Sequence, residues 1–270
     1  MRINEYSNDL NLSTNDLASI RETLGNEYIL KNFNVINLGW VDILPMTLYT
    51  PKKIDMCSPN MLVLGGFHGD EASGVLATLF TMLTLKNDSI NISYIPLVNP
   101  SGYALNKRCN CYDEDPNRRF IHNEEGKKIS MEGEVLFKNI DLIKKLGSNC
   151  ILTLHENDRD SIYFYTYEPS TKPGSFSKTL SYLGQKHFPL CKKAWIHDQE
   201  KPVKVSNGII YKPICDGTFE DRMYHEGIEY IATIELPQDQ SIDIVINAGK
   251  DIINGVSELS WLFKKIGRNI

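Results

Sequence analysis

Strand–helix alternation along the whole chain predicts one α/β domain over residues 1–270, a mixed, mostly parallel sheet with helices on both faces. Three observations lead there. Short apolar runs that read as buried strands recur at 61–66, 91–98, 150–154, 162–167 and 230–236. Apolar positions at helical spacing fill stretches between and after them. No Pro/Gly/Ser-rich linker, internal repeat or low-complexity segment divides the 270 residues, a length at which one core buries about three quarters of the unfolded surface.

Residues 1–60 are taken as an N-terminal extension with the first strands, 61–237 as the core, and 241–266 as a C-terminal helix. The strand 61–66 ends in paired glycines. The stretch 70–86 follows with Val75, Leu76, Leu79, Phe80 and Leu83 at helical spacing. Asn91 to Val98 is the next strand, stopped by the turn signal Asn99-Pro100-Ser101-Gly102. Residues 103–129 are polar and irregular. Ser130 is placed to cap a helix over 131–146, with Glu132 and Glu134 near its positive end. Buried strands then start at Cys150, Ile162 and Tyr230, the last closed by Pro237. The tail carries Ile244, Val245, Ala248, Ile252, Val256, Leu259 and Phe263 as one amphipathic face.

Lys+Arg 29 against Asp+Glu 34 gives a net charge of −5, which argues against a basic nucleic-acid surface. With 41% hydrophobic and 23% charged residues, wholesale disorder is excluded. No apolar run reaches the roughly 18 residues of a membrane span, and the start lacks an export signal. The six cysteines, at 57, 109, 111, 150, 191 and 215, show no repeating frame and read as free thiols. A cytoplasmic protein without nucleic-acid or membrane partners is expected.

Open α/β sheets bind ligands at the carboxyl ends of their strands. Phe67-His68-Gly69-Asp70-Glu71 follows one strand, His155-Glu156-Asn157 follows another, and Glu235 ends a third. Two imidazoles and a carboxylate suit Zn²⁺, which at catalytic sites takes three protein ligands and keeps one position open. One zinc ion per chain on His68, Glu71 and His155 is the expectation. Glu235 interrupts an apolar strand, where an unpaired carboxylate is costly, so it needs a partner or a function.

The order and context of these groups resemble the zinc carboxypeptidases, and among them the small bacterial murein peptide amidases. Gly65 to Glu71 matches that family's first zinc motif. Asn99-Pro100-Ser101-Gly102 matches its Asn-Pro-Asp-Gly turn, with Ser101 for Asp. Arg108 and Asp115-Pro116-Asn117-Arg118-Arg119-Phe120 match its Arg and Asp-Leu-Asn-Arg-x-Phe, with Pro116 for Leu. Leu154-His155 and Thr233-Ile234-Glu235-Leu236-Pro237 match the strands of the third ligand and the catalytic glutamate.

The resemblance implies a zinc metallocarboxypeptidase or peptide amidase hydrolysing a C-terminal amide bond. In that scheme Glu235 is the general base and Arg108 stabilises the oxyanion. Asn117 and Arg118 grip the substrate carboxylate, and Asp115 orients a zinc-bound imidazole. A closing tyrosine has two candidates, Tyr211 and Tyr224. The alternative is an aspartoacylase- or succinylglutamate desuccinylase-like amidohydrolase acting on N-acyl amino acids, which resembles the same fold and arrangement. The substrate is thus a small peptide or an N-acyl amino acid. Asp216, Glu220 and Asp221, shortly before Glu235, point to a pocket for a cationic side chain, with Phe219 lining an apolar pocket as the competing arrangement.

Overall fold

The computed structural model describes residues 16–85, 89–120, 128–192, 195–198, 201–212, 217–238 and 240–259. Two short helices, α1 (Leu17–Leu24) and α2 (Glu27–Asn32), lead into a hairpin, β1 (Phe33–Val41) and β2 (Leu44–Pro51). Then follow β3 (Asn60–Gly65), α3 (Ala72–Thr84), β4 (Asn91–Ile95), α4 (Pro100–Leu105), α5 (Met131–Lys138), α6 (Ile140–Leu146) and β5 (Cys150–Asn157). The second half runs β6 (Tyr163–Tyr167), α7 (Ser175–Gly184), β7 (Trp195–Asp198), β8 (Lys201–Lys204), β9 (Ile209–Tyr211), α8 (Phe219–His225), β10 (Ile231–Pro237) and α9 (Ile242–Ser257).

Eight strands form one mixed sheet in the order β1-β2-β4-β3-β5-β10-β6-β9, and β7 pairs with β8 apart from it. The centre is parallel: β4, β3, β5 and β10 run the same way, so their carboxyl ends meet along one edge. β3 and β5 are buried on both faces, which explains their unbroken Val/Leu/Ile runs. One apolar layer joins the sheet to α3, α7 and α9, and the other packs it beneath α5, α6 and α8.

The helices begin and stop for local reasons. Asn99 accepts from Gly102 N at 2.8 Å, with Pro100 opening α4, so the expected turn is also a helix start. Ser130 caps α5 by accepting from Gly133 N at 3.0 Å. The single helix expected over 131–146 is broken at Asn139, whose Nδ2 donates to Val135 O and to Leu38 O on β1. The helix expected over 241–266 extends through Ser257, and Phe263 lies outside the described residues. Cys57, Cys109, Cys111, Cys150 and Cys191 are free thiols. Among the described residues no helix is long and apolar enough to cross a membrane.

Candidate metal centre and active-site cavity

The chain leaves β3 through Gly66, whose φ of 66° is a conformation that side chains with a Cβ resist. That turn carries Phe67 into the core and places His68 and Glu71 before α3. Gly69 lies against α4 so closely that an added Cβ would sit 1.9 Å from the Gly102 carbonyl carbon. Its N–H reaches Arg108 O at 3.4 Å, and Asn99 N donates to Gly66 O at 2.8 Å. The turn after β3, the start of α4 and the Arg108 loop are therefore one packed unit.

Within it, His68 Nδ1 lies 2.7 Å from Glu71 Oε1, and His155 Nδ1 lies 2.9 Å from Glu71 Oε2. The two Nδ1 atoms face each other at 3.3 Å. All three side chains are buried, with their ligand atoms within 4.8 Å of one another. Burial by itself would raise the Glu71 carboxyl, but the two imidazoles beside it hold it well below the ordinary range. Burial would depress His155, yet Glu71 pushes it up to about 10. Two nitrogens and a carboxylate converging on one point form a donor set that fits a divalent ion such as zinc.

Each imidazole has a carboxylate on its far side. His68 Nε2 lies 3.3 Å from Asp115 Oδ1, and Asp115 also accepts from Arg108 Nε at 3.3 Å. Burial works to raise Asp115, but His68 and Arg108 hold its carboxyl far below the usual range. Arg108 leans over the cluster with Nη1 3.5 Å from Glu71 Oε1, while its side chain stays 44% exposed. His155 Nε2 is buried without a hydrogen-bond partner, 3.8 Å from Glu220 Oε1.

Strand register arranges the rest. On one face of the sheet, His155, Glu235 and Tyr163 lie side by side across β5, β10 and β6. One step deeper stand Thr153, Thr233 and Tyr165, and below them Ile151, Ile231 and Tyr167. A cavity of about 300 Å³ opens over this face. His68, Glu71, Arg108, Asn117, Arg118, His155 and Glu235 all line it, as do Tyr163, Tyr165 and Tyr167. Carboxylates outnumber guanidinium groups around it, a further fit to a cation.

Some expected site residues stand elsewhere or are otherwise engaged. Tyr211 does not line the cavity: its hydroxyl hydrogen-bonds with Ser170 Oγ at 2.7 Å and lies 3.1 Å from Glu168 O. Tyr224 packs against Tyr167 at 4.8 Å between ring centroids, behind the wall. Asn117 is at the cavity, but its Oδ1 accepts from Phe219 N at 2.8 Å and its Nδ2 donates to Glu220 Oε2 at 3.1 Å. Arg118 lines the cavity with Nη1 donating to Asn117 O at 2.8 Å. Glu220 lines the cavity too; it is buried and accepts from Thr153 Oγ1 as well, so both of its carboxylate oxygens are held by the protein. Asp221 is buried near His225, Phe219 packs between Phe67 and Phe120, and Asp216 lies outside the described residues.

Glu156, one of the polar residues expected at this strand end but given no role there, lines the same cavity; burial pushes its carboxyl up while it accepts from Ser73 N. The tyrosine wall is not legible in the sequence either, because only the antiparallel placement of β6 beside β10 turns alternate tyrosines toward the His68, Glu71 and His155 cluster. Alternation in IYFYTY was the one signal available.

The succinylglutamate desuccinylase/aspartoacylase catalytic-domain family matches residues 57–239, a span that holds every group named above. The fold is similar to that of a protein from Shewanella amazonensis SB2B, provisionally named a metallopeptidase. The TM-score is 0.81 and the identity 30%, covering 92% of this chain and 94% of that one. A provisionally named metallopeptidase from Shewanella denitrificans OS217 is 28% identical with a TM-score of 0.82, covering 92% and 91%. Carboxypeptidase A from Helicoverpa armigera, 15% identical with a TM-score of 0.60 over 94% of this chain and 72% of that one, shares the fold. No curated protein matches the chain significantly. The chain belongs to the succinylglutamate desuccinylase/aspartoacylase catalytic-domain family, hydrolases on a carboxypeptidase-like fold.

Proposed function

We propose that the protein is a zinc-dependent amidohydrolase that cleaves the amide bond of a carboxylate-bearing residue, in the manner of a carboxypeptidase. The observation that carries this reading is the convergence of His68, Glu71 and His155 in one cavity with Glu235, Arg108 and Arg118. Zinc, when bound by those three side chains, supplies a Lewis acid and a water that ionises near neutrality.

The chain's own groups do the remaining work. Glu235 projects from β10 beside His155, where its carboxylate takes the proton of the attacking water and returns it to the leaving nitrogen. Arg108, steadied by Asp115, donates to the substrate carbonyl oxygen as negative charge develops there. Arg118 binds the substrate carboxylate through its planar fork, which a lysine does not reproduce.

The family match supports a second reading, in which the group on the far side of the scissile bond is a small acyl unit and not a peptide. Both readings release an amino acid with a free carboxylate, so they differ only in the acyl half. Product analysis on matched N-acyl amino acids, dipeptides and longer peptides, each with a free or amidated carboxyl terminus, tests both. Turnover of free-carboxylate substrates with loss on amidation is expected. Equal turnover of the amidated series refutes the carboxylate-directed mechanism, and activity confined to N-acyl amino acids selects the second reading.

A further inference from the structure

We infer that Glu220 is a positioning residue for His155, fixing that imidazole for the metal, and that Asn117 holds Glu220 in turn. This rests on the metal site proposed above. His155 directs Nδ1 at Glu71 and His68, so a metal bound at Nδ1 leaves the ring proton on Nε2. That Nε2 is buried and has no hydrogen-bond partner. An N–H enclosed without an acceptor is costly. The carboxylate that faces it is Glu220, with Oε1 at 3.8 Å. A shift of about 1 Å brings the pair to hydrogen-bond distance.

Glu220 is built to stay where it is. Its side chain is 3% exposed. Thr153 Oγ1 donates to Oε1 from the same strand and face as His155, two residues earlier. Asn117 Nδ2 donates to Oε2 at 3.1 Å, and Asn117 Oδ1 accepts from Phe219 N, tying the Arg108–Arg118 loop to the first turn of α8. Phe67 stacks on the His155 ring at 5.6 Å and 15°, limiting its tilt. Both ligand imidazoles thus have a carboxylate behind them, Asp115 at His68 and Glu220 at His155. Ligating histidines generally need such a partner to fix tautomer and ring orientation, and its loss typically weakens metal binding 10–100-fold. With both oxygens already accepting from the protein, Glu220 is better suited to this task than to gripping a substrate cation.

The test is zinc affinity of the full chain, by chelator competition on folded Glu220→Gln, Glu220→Asp and wild-type protein, with urea unfolding of the metal-free forms alongside. A role confined to packing moves the unfolding midpoint and leaves the zinc affinity of the folded protein alone. Glu220→Gln is expected to bind zinc 10–100-fold more weakly. Glu220→Asp, which keeps the charge on a shorter stem, is expected to fall between it and wild type. Affinity of Glu220→Gln within twofold of wild type overturns the inference, as does identical behaviour of the Asp and Gln variants. If Glu220→Gln does not fold, Glu220→Asp decides: more than twofold weaker binding supports the role, and binding within twofold of wild type overturns it. His155→Ala separates the two levels. Wild-type zinc binding in that variant sinks the metal site itself, whereas loss there beside unaltered Glu220→Gln sinks only the role of Glu220.

Discussion

Gly69→Ala adds one methyl group where the turn after β3 meets α4. The new Cβ would lie 1.9 Å from Gly102 C, 2.2 Å from Tyr103 N and 2.3 Å from Gly102 O. Ordinary contact begins near 3.4 Å, so about 1.5 Å of separation must be found. All three atoms are backbone, so no side chain can swing aside. Gly69 does not have a positive φ, so the effect is steric and not a matter of backbone conformation. Overpacking of this kind costs roughly 1–3 kcal/mol.

The larger effect falls on His68, the preceding residue, because a functional constellation tolerates only about 0.5 Å of displacement. A misplacement of about 1 Å can cost about 10²-fold in turnover. The variant should therefore fold with a modest loss in urea midpoint, bind zinc at least tenfold more weakly and lose roughly 10²-fold in kcat/KM. Chelator competition, steady-state kinetics and urea unfolding on one preparation read all three. Zinc affinity and kcat/KM within twofold of wild type would refute the claim that this contact sets the ligand geometry.

Glu235→Gln should keep zinc but lower kcat by roughly 10² or more, as expected for removal of a general base; unchanged turnover makes Glu235 structural. Arg108→Ala should act mainly on kcat and Arg118→Ala mainly on KM, because oxyanion contacts form in the transition state while carboxylate binding is shared with the ground state; a reversed split exchanges their roles. In metal-free protein burial opposes, but Glu71, with Glu220 and Glu235 beside it, outweighs it and raises His155 from 6.5 to about 10. That contribution to stability is complete below pH 6.5 and is lost as pH rises toward 10. Urea midpoints of metal-free protein should fall across that window while the zinc-loaded form lacks this loss, and a flat metal-free profile removes the buried His155–Glu71 pair from the account.

The parallel centre was legible because β3 and β5 are buried on both faces, leaving apolar runs that end abruptly in His68 and His155. Chemistry at strand ends is a property of the fold class, so the polar interruptions pointed to the His68, Glu71 and His155 cluster that the structure brings together. The hairpin β1–β2 was not resolved within residues 1–60, since its exposed outer face interrupts the apolar pattern with Asn34 and Asn37. Tyr211 and Glu220 could not be placed from spacing alone. Tyr211 sits on β9 at the sheet edge, beyond β6, and its hydroxyl is held by the chain at Glu168 and Ser170. Glu220 lies in the first turn of a short helix between Phe219 and Asp221, both buried as well, so spacing does not show which of the three faces the cavity. Asn117 shows the same limit: an amide beside an arginine suits either a ligand or a neighbouring backbone, and only the position of α8 decides.

The central strands also set an order of events during synthesis. Glu71 and His155 touch, yet they are 84 residues apart in the chain. At roughly 5–20 residues per second, translation leaves His68 and Glu71 without their third partner for about 4–17 s. Until β5 lies between β3 and β10, the nascent chain offers only two donors on a turn, and ion capture waits for long-range strand pairing. A metal bound there would therefore not guide early collapse; it would lock a sheet already assembled, and would draw its affinity from the chain entropy that folding has by then removed.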